Sequence, residues 1–186
     1  MPLKTGRYTL GPDDGSLLIR TGREGAAALM GHDLTLEATR WKATVDLDVE
    51  DLPRSKVTAT VDAASLVVRA ASGGPVGLTD SQRAEIENNV RTQVLLSDRY
   101  PRISFRSTSV AYDGRRTSVT GNLTIQRRAR PAVLALRVAR SRAPRIVATT
   151  SIVQTAFGIE LYSALLGALR VKDVVDVSVE VRLPVR

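Results

Sequence analysis

The chain has 186 residues, 43% of them hydrophobic, which suits one domain with a sizeable core and excludes a disordered chain. It has no cysteine, which excludes disulfides, thiolate metal ligands and a cysteine nucleophile. The net charge is +8, carried mainly by arginines scattered from Arg7 to Arg186, with one concentration between Arg115 and Arg145.

Tyr8–Gly11 is a short strand candidate, closed by the turn Pro12-Asp13-Asp14-Gly15. Ser16–Thr21 puts Leu17 and Ile19 on one face. Gly22–Gly25 turns the chain, and Ala26–Met30 is expected to begin another strand. Leu34, Leu36 and Ala38 then share a face. From Trp41 the parity changes, and Trp41, Ala43, Val45, Leu47 and Val49 become the apolar set. A one-residue slip flips every side chain, so a bulge or sharp bend is expected near Thr39–Arg40. Lys56–Asp62 alternates, with Val57, Ala59 and Val61 inward; Leu66–Val68 is a further short apolar run. Ala70–Leu78 is rich in Gly, Ser and Pro and reads as a loop.

Thr79–Ser97 is the expected helix. Thr79 and Gln82 have capping-box spacing, Asp80 suits the first turn, and Ile86, Val90, Val94 and Leu95 form an apolar stripe. Ile103 and Phe105 point inward on the next strand, and Asp113-Gly114 is a hairpin signal. Gly121–Pro131 reads as a strand, a basic tip and a returning strand. Leu123 and Ile125 alternate with Asn122, Thr124 and Gln126, Gly121 suits a bulge or bend, and Pro131 marks a strand start or an edge. Ile146–Gln154 follows, and Val175, Val177, Val179 and Val181 alternate with polar residues in a closing strand. Neither a repeat nor a linker divides the chain, so one domain over residues 1–186 is expected.

The Gly121–Pro131 unit resembles the G-x-L-T-I-x-x-x-x-R-P segment of the YceI-like family, the lipocalin-like polyisoprenoid-binding proteins. It matches at Gly121, Leu123, Thr124, Ile125, Arg130 and Pro131, and departs from the usual family tip at Gln126, Arg127, Arg128 and Ala129. Tyr8-Thr9-Leu10, Tyr100-Pro101-x-Ile103-x-Phe105 and Phe157-Gly158-Ile159 match in order. The resemblance implies an extended barrel that holds an isoprenoid chain.

The residues lead the same way independently. Many alternating strands favour an all-β, mainly antiparallel up-and-down β-barrel with one α-helix inserted between strands, and the resemblance implies that the barrel is lipocalin-like. Its inward set is rich in Val, Leu, Ile and Ala, which leave room and offer no directional polar chemistry. That favours a long apolar ligand held by surface burial, at ~25 cal/mol per Å². The candidate contacts are Leu17, Ile19, Leu34, Leu36, Trp41, Val61, Phe105, Leu123 and Ile125. Phe157, Ile159, Leu161, Leu165 and Leu166 join them from Phe157–Val171, an apolar run between glycines. That run reads as a lid or pocket wall, or equally as a short core helix or a homodimer contact. His32, Arg127, Arg128 and Arg130 are the candidate head-group contacts.

Other functions fare less well. His32 is the only histidine, and between Gly31 and Asp33 it reads first as a turn residue. No nucleophile elbow, phosphate-binding loop or dinucleotide fingerprint occurs, so no catalytic residues, metal or cofactor are expected beyond a bound isoprenoid lipid. An enzyme acting on such a lipid, with His32 at the pocket mouth, is the second reading. A third is an arginine-mediated binder of an anionic surface. The scatter of the arginines favours solvated faces, and with 4% aromatics no specific nucleic-acid recognition is expected. No run of about 18 apolar residues occurs, so no membrane span is expected. Met1–Gly11 carries Lys4 and Arg7 without an apolar signal core, so the expected location is cytoplasmic.

Overall fold

Period-two alternation gives each strand one apolar face to bury. In the computed structural model, which describes residues 4–139 and 145–183, the alternating segments meet that demand by curling into a barrel around a hollow. In chain order the elements are β1 (Gly6–Leu10), β2 (Gly15–Arg20), β3 (Arg23–Glu24), β4 (Asp33–Ala38), β5 (Trp41–Leu47), β6 (Lys56–Asp62) and β7 (Leu66–Ser72). Then come α1 (Asp80–Asn89), β8 (Arg102–Tyr112), β9 (Thr117–Ile125), β10 (Arg128–Ala139), β11 (Arg145–Val153), β12 (Ser163–Ala164), β13 (Leu169–Val171) and β14 (Val174–Arg182). Eleven strands form one sheet, ordered β1-β5-β6-β8-β9-β10-β11-β14-β2-β4-β7, and a small second sheet runs β12-β13-β3. Neighbouring strands pair antiparallel, as in β11–β14 and β14–β2. The fold is all-β and lipocalin-like, with one α-helix among the described residues, as expected.

The parity change at Thr39–Arg40 marks the corner on which the curl depends. β5 pairs with β6 and β4 with β7, so β4–β5 and β6–β7 are the two arms of one long, bent hairpin. Yet β5 lies near one end of the sheet order and β4 near the other. Two residues bridge them, so the two ends of the sheet must lie close together. Hydrogen bonds hold the corner: Thr39 N–H and Oγ1 donate to the Ser65 carbonyl (3.0 and 2.9 Å), and Asp62 N–H donates to the Arg40 carbonyl (3.0 Å). Asp62 accepts from Ala64 N–H (2.8 Å) and Arg40 Nε (2.9 Å).

Helix α1 begins at the expected capping box, with Gln82 N–H donating to Thr79 Oγ1 (3.2 Å) and Thr79 N–H to Gln82 Oε1 (2.9 Å). It is shorter than Thr79–Ser97: after Asn89 the chain widens into a π-turn at Val90–Val94, with Leu95 N–H bonded to the Val90 carbonyl (2.8 Å). The helix lies along edge strand β7. Val68 N–H donates to Glu87 Oε1 (2.8 Å), which occupies an edge donor that would otherwise be open to another strand.

Three further segments differ from the sequence reading. Ala28–Met30 is a 3₁₀ turn rather than a strand, because Gly25 takes φ 103° and reverses the chain before it. β7 runs on to Ser72, so the Gly/Pro loop starts only at Gly73. The bulge near Gly121 is in the facing strand β8, between Ser107 and Ser109; Gly121 itself leaves space for the Phe105 ring. Pro131 stands at an edge, one of the two places expected for it, though inside β10 rather than at its start. It is tolerated because β11 pairs with β10 only from Ala135, leaving Pro131 with a partner on the β9 side alone.

Candidate binding cavity

The inward faces do not meet. They surround a cavity of about 610 Å³, in the middle of the ~300–1,000 Å³ range of small-molecule sites. Its wall is built by simple alternation: Val57, Ala59 and Val61 from β6, Ile103 and Phe105 from β8, Leu123 and Ile125 from β9, and Val175 to Val181 at every second place on β14. Several of these residues are only half-buried although they point inward, because they face a hollow rather than a neighbour. Helix α1 and its π-turn contribute Ile86, Val90, Val94 and Leu95, the expected stripe. Trp41 also lines the wall; its Nε1–H is the one buried side-chain polar atom without a hydrogen-bond partner among the described residues.

Most of the polar lining gathers where four segments converge. Thr21 and Arg23 follow β2, His32 precedes β4, Gln82, Glu85 and Asn89 come from α1, and Tyr162 and Arg170 come from the β12–β13 hairpin. Asn89 Nδ2 donates to Tyr162 Oη (3.3 Å), linking helix and hairpin. Arg23 is the most enclosed charge here, its side chain 19% exposed, with Nη1 donating to the Ser72 carbonyl (3.0 Å) and lying 3.8 Å from Asp33. Arg170 lies 3.7 Å from Glu24. His32 Nε2 lies 2.8 Å from the Val76 carbonyl, which can only accept, so Nε2 carries the proton and clasps the 73–78 loop. Behind this end, the Thr155 hydroxyl and amide both donate to Asp173 and hold its carboxyl below the usual carboxylate range.

The structure sorts the candidate contacts. Leu17, Ile19, His32, Leu34, Leu36, Trp41, Val61, Phe105, Leu123, Ile125 and Ile159 all line the cavity. Phe157, Leu161, Leu165 and Leu166 do not. Phe157 is buried in the core beside β8 and β9, within a 3₁₀ turn (Gln154–Phe157) that Gly158 ends at φ 75°. Leu165 and Leu166 form the exposed tip of the β12–β13 hairpin, so Phe157–Val171 is neither a continuous helix nor a uniform wall. Arg127, Arg128 and Arg130 also lie outside the lining. Arg127 stands over the Tyr100 ring (5.8 Å), Arg128 packs against Gly158, and Arg130 donates to the Ala129 carbonyl (2.9 Å). Arg23, Arg170, Tyr162 and Asn89 were not singled out from the sequence; they lie far apart along the chain and only the fold collects them.

Solved structures share this architecture. BcnA of Burkholderia cenocepacia superposes with a TM-score of 0.69 at 18% identity, over 92% of this chain and 96% of that one. A polyisoprenoid binding domain from Saccharophagus degradans, implicated in plant cell wall breakdown, gives 0.61 at 12% identity over 98% and 100%. The Campylobacter jejuni YCEI protein gives 0.58 at 17% over 81% and 85%. No curated protein matches the sequence. No helix among the described residues is long and apolar enough to cross a membrane. The family model for the YceI-like domain matches residues 8–183, nearly the whole chain, and the protein belongs to the YceI-like family.

Proposed function

We propose that the protein binds one long apolar lipid of the polyisoprenoid type in its cavity, as a carrier or store, without performing chemistry on it. The observation that carries this reading is the distribution of the lining: aliphatic walls along the cavity and polar side chains collected at one end. A chain threaded along such walls gains free energy from each buried methylene, about 0.8 kcal/mol, and needs no directional contacts. A polar head fits the other end, where Arg23, Arg170, Tyr162 and His32 stand. Membership of the YceI-like family and the likeness to a polyisoprenoid binding domain support this choice of ligand class.

Native mass spectrometry of gently purified protein, followed by titration of delipidated protein with a prenol and with its prenyl diphosphate, tests the reading. Co-purified lipid or tight prenol binding is expected. If neither the prenol nor a polarity-sensitive apolar dye binds folded protein, the reading fails. If the head sits at the polar end, Arg23→Gln with Arg170→Gln weakens the diphosphate more than the prenol. Replacing Arg127, Arg128 and Arg130 together leaves both unchanged. The reverse pattern would move the head group to the β9–β10 tip.

A further inference from the structure

Three loops meet beside the polar end of the cavity, and none of them contains a charged residue: 25–31, 72–79 and 161–169. They touch one another. Ala27 N–H donates to the Ala168 carbonyl (2.9 Å), and His32 joins the first loop to the second through the Val76 carbonyl. Their tips turn large apolar side chains outward. Leu29 is 83% exposed, Met30 60%, Val76 70%, Leu165 58%, and Leu166 is fully exposed. Large exposed apolar groups of this kind mark interaction sites. The backbone sharpens the point, because Leu165 and Leu166 hold φ of 51° and 55°, where glycine or asparagine is the ordinary choice. A pair of leucines is thus held in a disfavoured conformation and turned to solvent.

We infer that this rim docks on a lipid bilayer, with the three tips inserted in its interfacial zone and the polar end of the cavity facing the membrane. Continuity argues for it. Met30 both lines the cavity and stands exposed on the rim, and Ala164 and Leu169, beside the Leu165–Leu166 tip, also line the cavity. The apolar surface therefore runs from the outside into the interior. Charge argues for it too. Immediately behind the tips the charges alternate in sign, Arg23 with Asp33 and Arg170 with Glu24. That mixed band suits zwitterionic head groups, while the uncharged tips enter the apolar layer without desolvating an ion. Docking is a property of the rim and is read independently of whether the cavity holds a polyisoprenoid.

The test is co-sedimentation of delipidated protein with phosphatidylcholine vesicles. Binding is expected without anionic lipid, and it should persist when salt is raised from ~0.1 to ~1 M, which cuts the Debye length from ~10 to ~3 Å. Leu165→Asn with Leu166→Asn relieves the backbone at both positions, so folding is not at risk. It should weaken vesicle binding by about tenfold or more, since two buried leucines are lost. Prenol or dye binding by the same variant should be unchanged. Absence of wild-type binding, loss of binding in high salt, or equal binding by the double variant would each overturn the inference. So would a wild-type dimer that the double variant converts to monomer, which would make the rim a contact between two copies.

Discussion

The cavity is space that a natural core would fill, and filling it should separate stability from binding. Ala148 on β11 lines the hollow, between Leu136 on β10 and Val179 on β14. Ala148→Phe directs a ring into about 610 Å³ of cavity. Fully burying a phenylalanine contributes about 1.5–3 kcal/mol relative to leaving it exposed, and some rotamer entropy is lost against that. A net gain of about 1–2 kcal/mol is expected if the ring meets no fixed neighbour. In a chain of this size each kcal/mol moves Tm by roughly 2–4 °C, so Tm should rise by about 2–8 °C. The same ring removes wall area and length from the ligand, so dye and prenol affinity should fall by at least tenfold. Calorimetry and fluorescence titration of delipidated protein measure the two quantities. A fall in Tm of several degrees would mean that the space is not there and the site is overpacked. An unchanged affinity would mean that the ligand lies outside the barrel.

Gly121→Ala should cost about 1–3 kcal/mol by urea unfolding, because a Cβ there meets the Arg106 carbonyl oxygen and the Phe105 ring. Adding Phe105→Leu should recover part of the loss, and strict additivity in the double-mutant cycle would show that the ring is not the obstacle. At the corner, burial alone would raise the Asp62 carboxyl pKa, but donation from Ala64 N–H and Arg40 overrides it, and the pKa is lowered. A lowered folded value contributes stability above the unfolded pKa, ~3.9, and loses it as pH falls through the folded value. The Tm difference between wild type and Asp62→Asn should therefore hold from neutrality down to about pH 4 and shrink as pH falls further. A difference that grew on acidification would refute that origin.

How much of this could be read from sequence depends on whether the signal was local. Alternation is local, and it marked Trp41–Leu47, Lys56–Asp62 and Val175–Val181 as wall strands. The capping box at Thr79 and the parity break at Thr39–Arg40 were local too, and both mark real features. Ala28–Met30 was misread because the reversal at Gly25 is fixed also from a distance, by the bond from Ala27 to Ala168 and the pairing of β3 with β13. Arg127, Arg128 and Arg130 are dense in sequence, which suggested a head-group grip, but the β9–β10 tip carries them to Tyr100 and Gly158. Conversely Arg23 and Arg170 are unremarkable in sequence and become neighbours only through the small sheet. Leu165 and Leu166, being apolar, read as part of a lid or pocket wall, or equally of a short core helix or a homodimer contact. Their positive φ at a hairpin tip turns them outward, and no propensity argument anticipates that.

The pairing of β2 with β14 has a consequence for how the molecule is made. Gly15–Arg20 finds its partner in Asp176–Val181, about 160 residues later in the chain. A nascent chain emerging at ~5–20 residues per second therefore carries β2 with one edge open through almost all of its synthesis. When β11 appears it too has an unpaired edge until β14 arrives to lie between them. Both waiting edges belong to strands rich in Leu, Ile and Val, the kind that recruit other strands. A chain that ended before Val174 would hold every strand of the large sheet except β14, with two adhesive edges beside an unfilled hollow. Such fragments should be a burden to chaperones, and a chain truncated there should aggregate rather than form a smaller barrel.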